Sequence, residues 1–252
     1  MIQLQRPAAP ASLRTPAIRQ YLADCAQYAA DCTAAADPRT VAEPKKPGSY
    51  RHSDVLAIFE HEDYFYAKCY LTEQGFGSAW EMDVDHFVPV NQDPSLCYEW
   101  TNLFPAAHKA NMMRPRTWPP GGLLDPCRDP VETALVATIG VLGQAPHFAA
   151  VDAQNAAARN TADLLNLLHN GRASVPNSQE NTVHLRVAIA HQYDKVLRSI
   201  IKFLAARNAD NPQVLTNARR ELGELLSRRA SFTMLMRAMD PVVAYVPADL
   251  LD

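Results

Sequence analysis

The sequence predicts a mainly α-helical fold that contains one small β-hairpin, and three observations support this prediction. Apolar residues recur every three or four positions through much of the second half, most clearly over Val183–Leu204, and this is the period of an amphipathic helix. A short β-like run covers Met82–Val88, and the segment Pro89–Pro94 after it has the composition of a loop. A helix-capable segment follows and ends at the basic residue Arg114.

The other elements follow from proline, glycine and hydrophobic spacing. Five of the 19 prolines and a Gly-Gly pair lie between Arg114 and Pro130, so an irregular crossover is expected there. The remaining predictions, in chain order, are an extended segment 1–15, a helix Pro16–Thr33, a loop Asp37–Tyr50, a short helix Asp54–Glu60, helices from Val131 onward, and a break at Asn170–Asn181. We accordingly divide the chain into an N-terminal arm and helix (1–50), a central domain (51–128) and an α-helical C-terminal domain (129–252).

The C-terminal helices are expected to bury one face and to offer a second surface to a partner. The stripe expected to be buried or to face a partner consists of Val183, Val187, Ala190, Tyr193, Leu197, Ile200 and Leu204. Aromatic and Met side chains are enriched at protein interfaces. The candidate interface anchors are Tyr193, Phe232, Met234 and Met236.

The chemistry is concentrated in Met82-Asp-Val-Asp-His-Phe-Val-Pro89 and the residues after it. Asp85 and His86 end the β-like run, Asn102 follows after 15 intervening residues, and Asn111 lies nine positions beyond Asn102. A histidine with a pKa near neutrality can act as a general base, and carboxylate and amide oxygens suit a hard divalent ion. His108, three residues before Asn111, would share a helical face with Asn111 if the helix starts early.

This spacing resembles the HNH, or ββα-metal, endonuclease motif in an Asp-His…Asn…Asn form. The resemblance implies a ββα-metal HNH core embedded among helices and followed by the α-helical C-terminal domain. It implies that His86 is the general base, that Asn102 braces the catalytic loop and orients His86, and that Asp85 and Asn111 are metal ligands. His108 is the alternative helix-borne ligand. The implied cofactor is Mg²⁺ or Mn²⁺.

Many HNH domains also carry two pairs of cysteines that bind a structural zinc ion. In this chain Cys69 keeps one cysteine of the first pair, Thr72 stands where its second member would be, and Ala107 and Ala110 occupy the places of the second pair. A structural zinc site needs four such ligands. We therefore expect no structural zinc here, with packing holding the ββα unit together.

Further strings resemble HNH subunits of Septu and related retron-associated anti-phage defence systems. These are the opening Met1–Leu13, Lys68-Cys69-Tyr-Leu-Thr-Glu73, Leu165-Asn-Leu167, and Arg186 within the helix Val183–Leu204. The resemblance implies a complex in which this chain is the nuclease subunit and another polypeptide is an ATPase. The chain has no Walker-type phosphate loop in its sequence, so nucleotide hydrolysis would have to come from that partner.

The net charge and the cysteine content bear on nucleic-acid binding and on the cellular location of the protein. The net charge is −3, whereas proteins that grip duplex DNA usually have a basic balance or stripe. Lys109, Arg114 and Arg116 flank the predicted site and are the candidate nucleic-acid contacts. An odd number of cysteines, five, and no long apolar span favour a cytoplasmic protein without a membrane segment.

Two other functions fit the same residues. One is a solitary restriction nuclease of the McrA kind, which would need its own DNA-reading element. The other is a catalytically inactive HNH scaffold that serves as an assembly module, an interpretation suggested by the missing zinc cysteines and the acidic charge.

Overall fold

The computed structural model describes residues 1–140, 144–209 and 211–251. This part of the chain is mainly helical and contains two small antiparallel sheets of two strands each. The strands are β1 (Met82–His86), β2 (Leu103–Ala107), β3 (Leu135–Thr138) and β4 (His147–Ala150). The helices are α1 (Pro16–Ala34), α2 (Ser53–Glu60), α3 (His108–Met113), α4 (Val131–Ala134), α5 (Ala156–Asn170), α6 (Ser178–Asn181), α7 (Val183–Arg207), α8 (Pro212–Leu226), α9 (Thr233–Arg237) and α10 (Asp240–Tyr245).

The first hairpin and the helix after it form a strand–strand–helix unit. β1 and β2 are antiparallel, and Asp85 pairs with Phe104 while His86 pairs with Leu103. Helix α3 begins directly after β2, at His108. The predicted β-like run and helix-capable segment are therefore present, and the strand–strand–helix order matches the one that the sequence predicts.

Local sequence explains where the long helices begin and end. The Thr15 hydroxyl caps α1 by accepting a hydrogen bond from the Ile18 amide at 3.3 Å, and Pro16 occupies the first turn. The Asn155 side chain caps α5 in the same way. Helix α5 ends at Gly171, whose positive φ of 69° is a conformation that glycine adopts without a steric penalty.

The buried face of α7 differs from the predicted stripe at its start. Val183 and Val187 are exposed, whereas Leu185 and Ile189 are buried. From Tyr193 onward the predicted and observed faces coincide, and Val196 and Phe203 join the core. Val183 and Val187 are therefore not core positions, and the other predicted role, facing a partner, stays a prediction for them. Both sets of residues in these first two turns have helical spacing, and the packing of neighbouring elements selects the set that is buried.

The C-terminal range is not purely helical. Leu135–Thr138 pairs with His147–Ala150 as an antiparallel hairpin, with Leu135 opposite Ala150 and Thr138 opposite His147. Buried and exposed residues alternate along β3, as expected for a strand with one face on a core. The prediction of helices from Val131 onward was therefore wrong here, and residues 141–143, 210 and 252 of that prediction lie outside the described residues.

A single cluster of buried apolar side chains contains residues from all three predicted ranges of the chain. The N-terminal arm contributes to it: the Leu4 amide donates to the Pro126 carbonyl at 2.8 Å, and the terminal ammonium of Met1 lies 2.8 Å from the Glu73 carboxylate. Tyr193, Phe232 and Met236 belong to this cluster and are almost fully buried. They are core residues, so the prediction that they are interface anchors was wrong.

Across the described ranges, no helix combines the length and the apolar character needed to cross a lipid bilayer.

Candidate active site

The β1–β2 hairpin and α3 border a cavity of about 270 Å³. Asp85 and His86 from β1, Asn111 from α3, and Arg114 and Arg116 from the segment after α3 all line it. Residues that are separated by up to 31 positions in the sequence therefore meet at one cavity. All five are residues for which the sequence predicted catalytic, metal-binding or nucleic-acid-binding roles at one site.

The imidazole of His86 is held in one orientation. Its Nε2 lies 3.0 Å from the Cys97 carbonyl oxygen. Because a carbonyl can only accept, Nε2 carries the proton of the neutral ring, and Nδ1 keeps a lone pair. Burial lowers the pKa of His86 below its ordinary value and outweighs the opposing effect of the Cys97 carbonyl. The ring is therefore predominantly neutral at physiological pH and can accept a proton at Nδ1.

Asn102 organises the loop that supplies this carbonyl. Its side-chain oxygen accepts from the Val88 amide at 2.7 Å, and its side-chain nitrogen donates to the carbonyls of Val88 and Leu96 at 3.0 and 3.2 Å. Leu96 directly precedes Cys97, whose carbonyl holds His86. Asn102 thus positions His86 through the loop, and the structure places no direct hydrogen bond between the two side chains within the described residues.

One oxygen of the Asp85 carboxylate is fully engaged. Oδ2 accepts from the Tyr70 hydroxyl at 2.7 Å and from the Arg114 guanidinium. Burial raises the pKa of Tyr70 well above its ordinary value, which keeps its hydroxyl protonated and able to donate. Among the described residues, Oδ1 of Asp85 has no hydrogen-bond partner, and Asp85 lines the cavity. Oδ1 is therefore the oxygen that Asp85 can offer to an ion.

Arg114 is an internal residue of the hairpin. Besides Asp85 it binds the carbonyls of His86, at 2.8 Å, and Phe87. Although burial opposes its charge, Tyr70 and Asp85 raise the pKa of Arg114. Only 5% of its side chain is exposed. Its cation is thus committed to the β1–β2 hairpin. Arg114 also lines the cavity, and its contact to nucleic acid stays a prediction.

A second acidic residue, Asp83, connects the two candidate helix-borne ligands. Its Oδ2 lies 2.9 Å from His108 Nδ1 and 2.9 Å from Asn111 Nδ2. The amide nitrogen of Asn111 is therefore used by Asp83, and the amide oxygen remains free to bind an ion. His108 is two-thirds exposed, and its Nδ1 already faces Asp83. Asp83 was not predicted as a site residue, although the period of two along a strand places it on the same face as Asp85.

The available oxygen ligands fit a hard divalent ion whose remaining ligands are water and substrate phosphates. Across the described part of the chain, no group of three or more His, Cys, Asp and Glu side chains is arranged to hold a metal ion. The candidate pair combines one carboxylate oxygen, from Asp85, with one amide oxygen, from Asn111. Mg²⁺ is commonly bound by one or two carboxylates together with substrate phosphates and water.

Exposed cations surround the cavity. Arg116 lines it, Lys109 lies on the exposed surface of α3, and the charge of Lys46 contributes to lowering the pKa of His86. Lys46 could not be predicted from sequence, since the loop that carries it approaches the hairpin only in the folded chain. Farther away, Arg219, Arg220, Arg228 and Arg229 pair with carboxylates.

Three of the four positions compared with zinc cysteines in the sequence, Cys69, Thr72 and Ala107, are in contact. The Thr72 amide donates to the Cys69 sulfur at 3.4 Å, and the Ala107 backbone also interacts with this sulfur. Burial raises the pKa of Cys69, so the thiol stays protonated. Cys69 and Ala110 are both buried, at 1% and 6% exposure.

The chain matches no protein-family model, and neither a curated protein nor a solved structure was found to be similar to it. The functional assignment therefore depends on the geometry of the site.

Proposed function

We propose that this protein is a metal-dependent endonuclease of the HNH type that hydrolyses phosphodiester bonds, with DNA as the first substrate to test. The observation that supports this proposal most strongly is the arrangement of His86. Its Nε2 is fixed by the Cys97 carbonyl, and the ring lines the same cavity as Asp85 and Asn111. A neutral imidazole beside two oxygen ligands is the combination that a metal-assisted hydrolysis requires.

In this mechanism the residues of the chain have separate roles. His86 accepts the proton of the attacking water at Nδ1, and the Cys97 carbonyl stabilises the resulting imidazolium through Nε2–H. Asn102 keeps the loop in place while the proton is transferred. Arg116 and Lys46 attract the phosphate to the cavity.

Asp85 Oδ1 and the Asn111 amide oxygen are the groups that would hold Mg²⁺ or Mn²⁺. When bound, such an ion would supply positive charge to offset the negative charge that develops during hydrolysis. Tyr70 and Arg114 retain Oδ2 of Asp85, which fixes the orientation of the carboxylate. Asp83 holds the nitrogen of Asn111 and so leaves its oxygen for the ion.

For the biological setting we propose the nuclease subunit of an anti-phage complex, working in the cytoplasm with an ATPase subunit. The net charge of −3 supports this proposal, because a chain with few uncompensated cations would need help to hold DNA. All five cysteines are free, as in most cytoplasmic proteins. Val183, Val187 and Ile201 leave apolar side chains exposed on α7 and are the positions there at which a partner could pack.

A cleavage assay tests the enzymatic proposal. The full chain, alone and with any copurifying ATPase, is incubated with plasmid, duplex and single-stranded DNA and with RNA, in EDTA, Mg²⁺ or Mn²⁺. We expect cleavage only with a divalent ion, and we expect Asp85→Ala and Asn111→Ala to weaken ion binding in calorimetry more than His108→Ala does. Cleavage that persists unchanged in EDTA would contradict the metal-dependent mechanism.

A catalytically inactive scaffold is the second candidate. The ion pair between Arg114 and Asp85 favours it, because a guanidinium beside a metal ligand opposes the binding of a cation. In that case the protein and its variants would show the same ion affinity, and no substrate would be cut under any condition. The solitary restriction nuclease would instead bind duplex DNA tightly at ~0.15 M salt without a partner.

A further inference from the structure

A second cavity, of about 250 Å³, lies beside the catalytic cavity. Arg114 and Pro115 line both cavities, so these two residues form a shared wall. A group that occupies the second cavity is therefore a direct neighbour of a group that occupies the first. No residue in this second cavity other than Arg114 has a role in the proposed hydrolysis.

The second cavity has a mainly apolar wall with an aromatic ring attached to the catalytic hairpin. Trp118, Leu123 and Leu164 line it. The ring of Trp118 packs edge-on against Phe87, with 5.2 Å between centroids and 73° between planes, and Phe87 directly follows His86. The position of this indole is consequently linked to that of the catalytic base. A flat, apolar occupant such as an aromatic heterocycle suits such a wall.

Two hydrogen-bond acceptors on α5 line this cavity beside the donors Arg114 and Arg172. Asn160 donates its side-chain nitrogen to the carbonyls of Pro120 and Gly122, at 2.9 Å each, so its side-chain oxygen is the free group. The Asp163 carboxylate also lines the cavity. Acceptors of this kind suit the ring N–H and amino groups of a nucleobase and repel a phosphate. Arg172 in this cavity and Arg116 in the catalytic cavity can bind the phosphates on either side of such a base.

We propose that the second cavity receives an unpaired nucleobase of the strand whose phosphodiester lies in the catalytic cavity. This inference rests on the proposed nuclease function and specifies its substrate as single-stranded or locally unpaired nucleic acid. A base inside a duplex is paired and stacked, and it must leave the helix before it can enter a cavity of this kind.

Binding in EDTA tests the proposal without requiring catalysis. The probes are a fluorescent mixed-sequence single strand of about ten nucleotides and an abasic sugar-phosphate strand of the same length. The stacking of one base contributes roughly tenfold or more in affinity, so the full chain should bind the base-bearing strand about tenfold more tightly. Thr117→Trp places a large side chain at the exposed rim of the cavity and should abolish this preference while leaving the abasic affinity unchanged.

Two sets of control variants distinguish the effect of filling the cavity from an effect on folding. Thr216→Trp, at an exposed position on α8, should keep the wild-type preference. Trp118→Phe should keep most of this preference and Trp118→Ala should lose it. The intrinsic fluorescence and melting temperature of each variant will show whether it is folded. Equal affinity of the wild type for base-bearing and abasic strands would overturn the proposal, as would a preference that Thr117→Trp leaves intact.

Cleavage assays then distinguish this inference from the proposed function. Divalent-ion-dependent cleavage of duplex and single strands at equal rates would keep the nuclease and overturn the nucleobase cavity. Base-dependent binding with no cleavage of any substrate would support the cavity and overturn the nuclease.

Discussion

The side-chain amide of Asn111 donates a hydrogen bond to the carboxylate of Asp83 at 2.9 Å. An amide that gives its nitrogen to an acceptor has only its oxygen left for other partners. The same carboxylate oxygen of Asp83 lies 2.9 Å from Nδ1 of His108. One acidic residue therefore orients both of the helix-borne groups that the sequence offered as metal ligands.

Asp83→Ala should weaken metal activation without unfolding the protein. Loss of a residue that orients a ligand typically costs 10–100-fold in metal affinity or activity, so the Mg²⁺ concentration for half-maximal cleavage should rise by roughly that factor. Asp83 is part-exposed, and the melting temperature should change little. The control is Asp24→Ala, at an exposed position of α1. An unchanged Mg²⁺ requirement in Asp83→Ala would show that Asn111 needs no such orientation.

The sequence predicted which residues meet at the site better than it predicted what each of them contacts. Asp85, His86 and Asn111 line one cavity as their spacing suggested. Tyr70 and the buried position of Arg114 were missed, because the hydrogen bond of Tyr70 and the ion pair of Arg114 to Asp85 join residues 15 and 29 positions apart in the sequence. A motif specifies neighbours in the chain, and these two contacts depend on how the hairpin packs.

Arg114→Met should destabilise the protein, whereas Arg116→Met should not. Removing one partner of a buried ion pair leaves an uncompensated charge and costs about 3–5 kcal/mol, and Arg114 is buried against Asp85. Arg116 is exposed, and its replacement should change the free energy of unfolding by less than about 0.5 kcal/mol. Urea denaturation measures both. In binding assays Arg116→Met should weaken nucleic-acid binding and reduce its salt dependence. Equal stability of the two variants would contradict the internal role of Arg114.

Ile189→Ala and Val187→Ala form a matched pair, two positions apart on α7. Ile189 is 4% exposed and Val187 is 50% exposed. Truncation of a buried isoleucine typically costs 2–5 kcal/mol, so Ile189→Ala should lower the free energy of unfolding by about that amount. Val187→Ala should have an effect of less than about 0.5 kcal/mol. A larger loss of stability in Val187→Ala than in Ile189→Ala would show that the stripe beginning at Val183 is the buried face of α7.

The fold was predictable where local signals are strong. The helix predicted over Pro16–Thr33 is found at Pro16–Ala34, because Thr15 and Pro16 define its start. The β3–β4 hairpin was not predicted, since Leu135–Thr138 lies in an alanine-containing segment without a helix-breaking residue. Its strand conformation depends on pairing with His147–Ala150, and such tertiary contacts override local propensity.

His169 should make the stability of the protein depend on pH below 6.5. Burial lowers the pKa of His169 from 6.5 to about 4, so the unfolded chain takes up a proton in this range before the folded chain does. This contribution to stability is complete above pH 6.5 and decreases as the pH falls toward 4, by about 3 kcal/mol in all at ~1.4 kcal/mol per pKa unit. Urea denaturation at pH 7.5 and pH 5 measures it.

The variant His169→Gln has no titrating group at position 169, and its stability should fall less between those two pH values than that of the wild type. His147→Gln, at an exposed position of β4, is the control and should follow the wild type. An identical pH dependence in His169→Gln and the wild type would rule out this contribution.

The cleavage rate of His86→Ala tests the central proposal most directly. Loss of a general base typically lowers the rate by ~10²–10⁴, and the control is His184→Ala, at an exposed position of α7. The account predicts that His86→Ala, folded as judged by its circular dichroism and melting temperature, cuts at least ~100-fold more slowly with saturating Mg²⁺, while His184→Ala cuts at the wild-type rate. A wild-type rate in folded His86→Ala would contradict the account.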